Sequence, residues 1–451
     1  MTTSAILSKP DRAAHAAPCC PTESNRRQNA FKALMSPRFF ITLALCAGCI
    51  GCGKPPEPPP KEIRQREIVS KRPAPPPVQQ LAAQIAADLP NVDTTLASSE
   101  LGHGLIYKND RIQADGPWSI NLLRIDRSRS DFEFTTTLGR GRFIGLGQLT
   151  AQVEGLPADV GQPVAAINGD FYRTEQEPYA GDPRGLQIMR GELISAPGKI
   201  SFWIGAEGNP CVGPVVSKLA VTWPDGDKTP LGLNEERHGN DAILYTPRIG
   251  SSTRTSGGRE LILTHNGQGP WLPLRPGQTY SAEVRDVRAS GNSKLSGDIL
   301  VISIGPLLEG TVPSVKPGAI LQISTATSPD LSGVRVALGG GPVLVHEGKA
   351  QAAYANKSRE RHPRTACGWN EKYFYFVEVD GRQHGFSVGM TLPELGNYLV
   401  REGCQEAMCL DGGGSAEMWI EGQVVNRPCF GYERSTANGL VLVRKTKAAA
   451  H

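Results

Sequence analysis

The sequence predicts an α+β fold, strand-rich, with mixed and antiparallel sheets and few helices in one large domain. Three observations carry this expectation. The 51 glycines and 36 prolines among 451 residues call for many turns and short elements. Short aliphatic runs recur from about residue 101 onward. One stretch, 391–402, carries a full set of helix signals, and no strong linker divides 101–445.

The elements follow in chain order. Residues 1–52 read as a leader. Phe39–Gly48 is an apolar run preceded by Lys32 and Arg38, too short to span a bilayer and sized like a signal-peptide core. Small residues before Cys49 and Cys52 resemble a lipoprotein cleavage site, which would place a lipid anchor at one of them. Met35 is an alternative start. Residues 53–95 hold Lys54–Pro60 and Pro73–Pro77, a stiff spacer, and a short helix is expected at Val78–Asp88 before Pro90. Residues 96–446 form the remaining domain.

Within that domain, strands are expected at Ile120–Ile125, Val164–Ile167, Leu261–Leu263 and Ile299–Ile304. Others are expected at Val343–Val345, Tyr373–Val379, Glu406–Leu410 and Leu440–Val443. In the helix 391–402, Thr391 and Glu394 form a capping box, and Leu392, Leu395, Leu399 and Val400 make an apolar stripe. Gly403 can stop it.

Composition excludes some classes. The net charge of +4 is small for this length, and no basic cluster is interleaved with aromatics, so nucleic acid is a poor partner. Of ten cysteines, Cys211, Cys367, Cys404, Cys409 and Cys429 fall in the folded part; an exported protein could pair some of them. Among those five no CxxC pair occurs, no histidine cluster points to zinc, and no cofactor is implied.

The most informative segment is Cys409–Ala416. A strand delivers Asp411 to its end, and Gly412, Gly413, Gly414 and Ser415 follow. Such a turn can expose amides to an anion, and an acid beside it suggests chemistry on an anionic substrate. A tight hairpin turn capped by Asp411 is the plain alternative. Three more segments stand out: Ala166–Tyr172, Arg359–Gly368, and Asn426–Pro428 with Glu433–Asn438.

Taken in order, these segments resemble the phosphodiester glycosidase family. The matching text is Asn168-Gly169-x-Phe171, Gly185–Ile188 with Gly191–Ile194, Gly339–Leu344, Arg364-Thr365-Ala366-x-Gly368, and Leu410–Ala416, with Arg434 before the last strand. The resemblance covers roughly residues 100–445. It implies an enzyme that cleaves a sugar, typically α-linked N-acetylglucosamine, from the phosphate of a sugar-1-phosphodiester. The expected substrate is a phosphorylated glycan of the cell envelope or the extracellular space. The alternative is a non-catalytic phosphoglycan-binding envelope lipoprotein. The protein is expected to be exported, with contact to a membrane only through its lipid.

A phosphate monoester leaving group has a second ionisation near about 6 and departs without full protonation. One carboxylate could then suffice where ordinary glycosidases use two. Asp411 is the first candidate, with Asp170 and Glu433 as further acids. Arg364 is the expected phosphate clamp, Arg434 a second, and Arg359 a weaker third. Asn168 and Gly169 are expected at the sugar, or else as a hairpin turn. Thr365 and Ser415 offer hydroxyls to substrate, or else cap turns. His362 and His384 read as loop residues. Trp369 and Trp419 could stack on a sugar, with core packing as the plainer role. A cation shared by Asp170 and Asp411 is left open.

Overall fold

The computed structural model describes residues 99–100, 104–113, 116–174, 178–351 and 360–445. The leader, the proline-rich spacer, the helix expected at Val78–Asp88, and Arg359 lie outside these residues. Among the described residues there are 26 strands and two α-helices, so the class is closer to all-β than to the expected α+β. The two helices, α1 (Leu149–Glu154) and α2 (Leu392–Arg401), only cover sheet faces.

Four sheets carry the architecture. The first has eight strands and at its centre runs Trp118–Asp126, Tyr373–Val379, Arg364–Trp369 and Glu406–Cys409, all antiparallel. The second is built entirely from strands of the segment 216–328. It contains the one parallel pair among the described strands, Gly232–Leu233 with Ala242–Tyr245. The third joins Gln162–Asn168 to Gly439–Arg444 and Met418–Ile420. The fourth centres on Val336–Gly340, flanked by Gln187–Met189 and Ile200–Ile204.

Period-two alternation explains the layering. In the first sheet, Leu123, Ile125, Phe374, Phe376, Cys367 and Met408 point inward and join Ile167 and Leu440 from the third sheet and Leu338 from the fourth. The intervening residues Ile120, Leu122, Ala366, Tyr375 and Val377 point the opposite way, under Leu392, Leu395 and Leu399 of α2. Burying each of those leucines contributes roughly 1.5–3 kcal/mol. The expected capping box is present: the Thr391 hydroxyl accepts from the Glu394 amide, and the Thr391 amide donates to the Glu394 carboxylate at 2.8 Å. Helix α1 was not expected. It packs Leu149 and Val153 over Ala166, Val441 and Val443 on the outer face of the third sheet.

The strands Gln162–Asn168 and Glu406–Cys409 thus belong to different sheets that pack face to face, and their ends meet. The Asp411 amide donates to the Gly169 carbonyl at 2.9 Å. That crossing positions the candidate site.

Candidate active site

Asn168 ties the crossing together. Its side-chain amide donates to the Asp411 carbonyl at 2.7 Å. Its side-chain oxygen accepts from the Thr365 hydroxyl at 2.6 Å and from the Glu417 amide at 3.0 Å. Asn168 and Thr365 are both 0% exposed. They brace the loop from beneath, where a ligand has no surface to touch, and this corrects the expectation that they bind substrate. Gly169 forms no hairpin turn. A Cβ there would lie 2.2 Å from the Asn438 side-chain oxygen, so the glycine serves strand packing.

The glycine loop also departs from the expected anion cradle. The Gly412 amide donates to Asp411 Oδ1, the Gly413 amide to the Pro363 carbonyl, and the Ser415 amide to the Gly412 carbonyl. Three amides are thereby already occupied. Gly413 has φ +63°, a left-handed conformation that suits glycine. A Cβ on Gly414 would collide with the Phe430 ring at 2.2 Å. The glycines let the chain pass under Phe430 and hold the Asp411 carboxyl in place.

Two acids converge here. Asp170 is 3% exposed, with its Oδ2 lacking a hydrogen-bond partner and wedged against Gly185 and Gly339. Burial pushes its carboxyl up to about 7; amides of Phe171 and Gly185 oppose the shift, and the charge of Asp411 adds to it. Burial also raises Asp411, while hydrogen bonds from Ser415 and Gly412 and the charges of Arg434 and Arg184 hold it down. Two carboxyls thus share one field, with different environments.

Two guanidinium groups bear on these acids, Arg184 on both and Arg434 on Asp411. Arg434 lies over the Tyr172 ring at 5.7 Å, and the Tyr172 hydroxyl sits 3.4 Å from Ser415 Oγ. Arg184 is exposed and acts on both Asp170 and Asp411. Sequence reading missed Arg184, although it directly precedes the Gly185 motif.

The expected clamp Arg364 lies beside the loop, its Cδ 3.7 Å from a Cβ built on Gly412. Its side chain follows the outer parity of Ala366, whereas Thr365 follows the inner parity of Cys367. Arg364 Nε donates to the Met390 carbonyl at 2.8 Å and a terminal nitrogen to the Glu360 carbonyl at 3.2 Å. These two bonds tie Arg364 to neighbouring backbone, whereas Arg184 and Arg434 act on Asp411.

Glu433 takes a different place from the one expected. Its two oxygens accept from the Thr150 amide (3.1 Å) and hydroxyl (2.7 Å), at the start of α1. It also adds to the burial that pushes Glu417 up to about 9. Trp369 and Trp419 are 6% and 5% exposed and belong to the core. Phe430, 50% exposed, covers the loop instead and stacks with Tyr432 at 6.0 Å between centroids. His362 bridges toward Glu360 at 3.1 Å. Among the described residues, Cys367, Cys404, Cys409 and Cys429 are free thiols. Among the described residues, no three His, Cys, Asp or Glu side chains are grouped to hold a metal ion.

Residues 305–443 match the family model described as phosphodiester glycosidase. Over that segment the chain is similar to the phosphodiester glycosidase family. That segment contains Asp411, Ser415, Arg434 and Arg364, whereas Asp170 and Arg184 lie before it. A prophage-derived uncharacterized protein of Bacillus subtilis, YomE, is 32% identical over 114 residues, 24% of this chain and 18% of that protein. The chain thus spans under a fifth of that relative's length. A hypothetical protein from Synechocystis overlays with TM-score 0.62 at 17% identity, covering 76% of this chain and 63% of that one. A protein of Burkholderia pseudomallei K96243, which its name places among exported proteins, overlays with TM-score 0.57 at 20% identity, covering 72% and 74%. These two show a shared fold. The zebrafish N-acetylglucosamine-1-phosphodiester alpha-N-acetylglucosaminidase catalytic domain overlaps at TM-score 0.39 and 14% identity, covering 77% of this chain and 86% of that one, too loosely to carry an argument.

Proposed function

We propose that the protein is an exported hydrolase that releases a sugar, of N-acetylglucosamine type, from a sugar-1-phosphodiester in an envelope or extracellular glycan. The single observation that supports this reading is Asp411 held at the end of the glycine loop, next to buried Asp170 through the Asp411–Gly169 backbone bond and under the charges of Arg184 and Arg434. The family match over 305–443 supports the same chemistry. Export rests on the leader-like run at Phe39–Gly48, and a lipid at Cys49 or Cys52 belongs to the same proposal.

The chemistry follows from charge. Arg184 and Arg434 receive the phosphodiester anion. Asp411 takes a proton from a water that attacks the anomeric carbon, or attacks that carbon itself to form a glycosyl ester that water then hydrolyses. The bond from that carbon to the bridging oxygen breaks, and its electron pair leaves on the phosphate. The products are a free sugar and a phosphate monoester. Asp170, deeper and more strongly raised, stays neutral below pH about 7 and so spares Asp411 a second negative charge.

The test is turnover of a sugar-1-phosphodiester by Asp411→Asn. Loss of about 10²–10⁴-fold in kcat/KM with an unchanged fold supports the assignment. Substrate binding without turnover in the unaltered protein supports the binding-module alternative.

A further inference from the structure

The backbone at Arg382 lies in the left-handed region, at φ +58°. That conformation suits glycine and is unfavourable for a residue with a side chain. A non-glycine residue held there points to a role for its side chain. The turn that holds it is braced from below. Buried Asp380 accepts from the Arg427 amide at 2.7 Å and from the Ser119 hydroxyl at 2.8 Å. The Gln383 side chain donates to the Arg427 carbonyl at 2.8 Å. The exposed Arg382 side chain therefore leaves from a fixed base.

That side chain reaches the glycine loop. A Cβ on Gly413 would lie 3.1–3.4 Å from the Cζ and terminal nitrogens of Arg382, so the guanidinium rests against that glycine. Its Nε and one terminal nitrogen lie 3.4 Å from His362 Nδ1. Among the described residues Arg382 has no ion pair with a carboxylate. Arg382 and Arg434 also share a neighbour. Burial pushes the Cys429 thiol up, while Arg382, by its charge and a hydrogen bond, and Arg434, by its charge, pull it down. Cys429 Sγ lies 3.9 Å from the Gly413 carbonyl, and Arg434 acts in turn on Asp411. Both cations thus stand beside the loop that carries Asp411.

Charge accounting gives the further cation a task. A phosphodiester carries one negative charge, whereas a phosphate monoester, with its second ionisation near about 6, carries two at pH 8. The added charge arises as the bond from the anomeric carbon to the bridging oxygen breaks and its electron pair leaves on the phosphate. A guanidinium already in place and without a carboxylate of its own stabilises charge that develops there.

We infer that Arg382, together with Arg434, binds the phosphate monoester dianion and so meets the charge that develops on the leaving phosphate. The inference rests on the hydrolase reading above and adds a cation that serves the leaving group and product more than the intact diester. Phosphate monoesters should accordingly inhibit turnover.

The probes are methyl phosphate and dimethyl phosphate, a dianion and a monoanion at pH 8. Calorimetry compares their binding to the unaltered protein, Arg382→Gly, Arg382→Lys and Arg427→Gln. Arg427 lies over the Phe386 ring at 4.9 Å and serves as the control. The unaltered protein should prefer methyl phosphate by about tenfold or more, equivalent to about 1.4 kcal/mol. Arg382→Gly should bring that ratio close to one, while its unfolding midpoint stays level or rises, because glycine suits φ +58°. Arg382→Lys should keep most of the preference, and Arg427→Gln all of it. In turnover, Arg382→Gly should lower kcat far more than it raises KM. If no sugar-1-phosphodiester turns over, the hydrolase reading fails, yet the binding ratio still decides whether Arg382 holds the dianion. Equal binding of the two esters by the unaltered protein, a tenfold ratio that survives Arg382→Gly, or an equal loss in Arg427→Gln overturns the inference and leaves the hydrolase reading standing.

Discussion

Asp170 and Asp411 are both aspartates, yet depth sets them apart. Asp170 has no hydrogen-bond partner for one oxygen, whereas Asp411 keeps Ser415, the Gly412 amide and two cations. With burial pushing Asp170 up to about 7, the proposed hydrolysis should fall off along an alkaline limb as pH rises through that value. Asp170→Asn mimics the neutral form, so its pH–kcat profile should lose that limb, as a stopped assay across pH 5–9 would show. A limb unchanged in the variant would assign it elsewhere. The arginines make a second test. Arg184→Ala and Arg434→Ala should each lower kcat/KM by roughly 10–100-fold, the worth of a charge-assisted hydrogen bond of about 1.5–3 kcal/mol. Arg364→Ala removes bonds to the Met390 and Glu360 carbonyls, so its loss should appear first in the unfolding midpoint.

At the scale of elements, the sequence announced what is local. Helix α2 was legible because Thr391, Glu394 and the leucine stripe lie within one short stretch. The strand Tyr373–Val379 was legible because its pattern is continuous. Helix α1 was not, since its six residues have no side-chain cap of their own and no acid in their first turn. Its missing cap comes from Glu433, 283 positions away. Sequence separation also hid Arg184, whose approach to Asp411 depends on how separate sheets pack. Arg364 and Thr365 were both expected at substrate, and only the strand Arg364–Trp369 with its partners shows that they face opposite ways. The packing under α2 predicts that Leu395→Ala costs about 2–5 kcal/mol in urea unfolding. Activity per folded molecule should persist, because α2 lies on the face away from Thr365 and Asn168.

At the scale of the whole molecule, buried acids shape the pH response. Asp170 is raised to about 7, Asp380 to about 6 and Glu417 to about 9, each chiefly by burial. The folded state therefore holds more protons than the unfolded chain between pH about 4 and 9, and stability falls as pH rises through that window. Thermal unfolding should show a higher midpoint at pH 5.5 than at pH 8.5. Glu417→Gln should narrow the gap, since Glu417 Oε1 is buried without a partner. A midpoint that climbs with pH would show that these acids are solvated in solution. The central claim itself concerns one carboxyl at the crossing of two sheets. Its most direct measurement is the release of free sugar from an N-acetylglucosamine-1-phosphodiester by the unaltered protein and by Asp411→Asn. The account predicts sugar and phosphate monoester from the first and almost none from the second, with both equally folded. Equal release by the two proteins would contradict it.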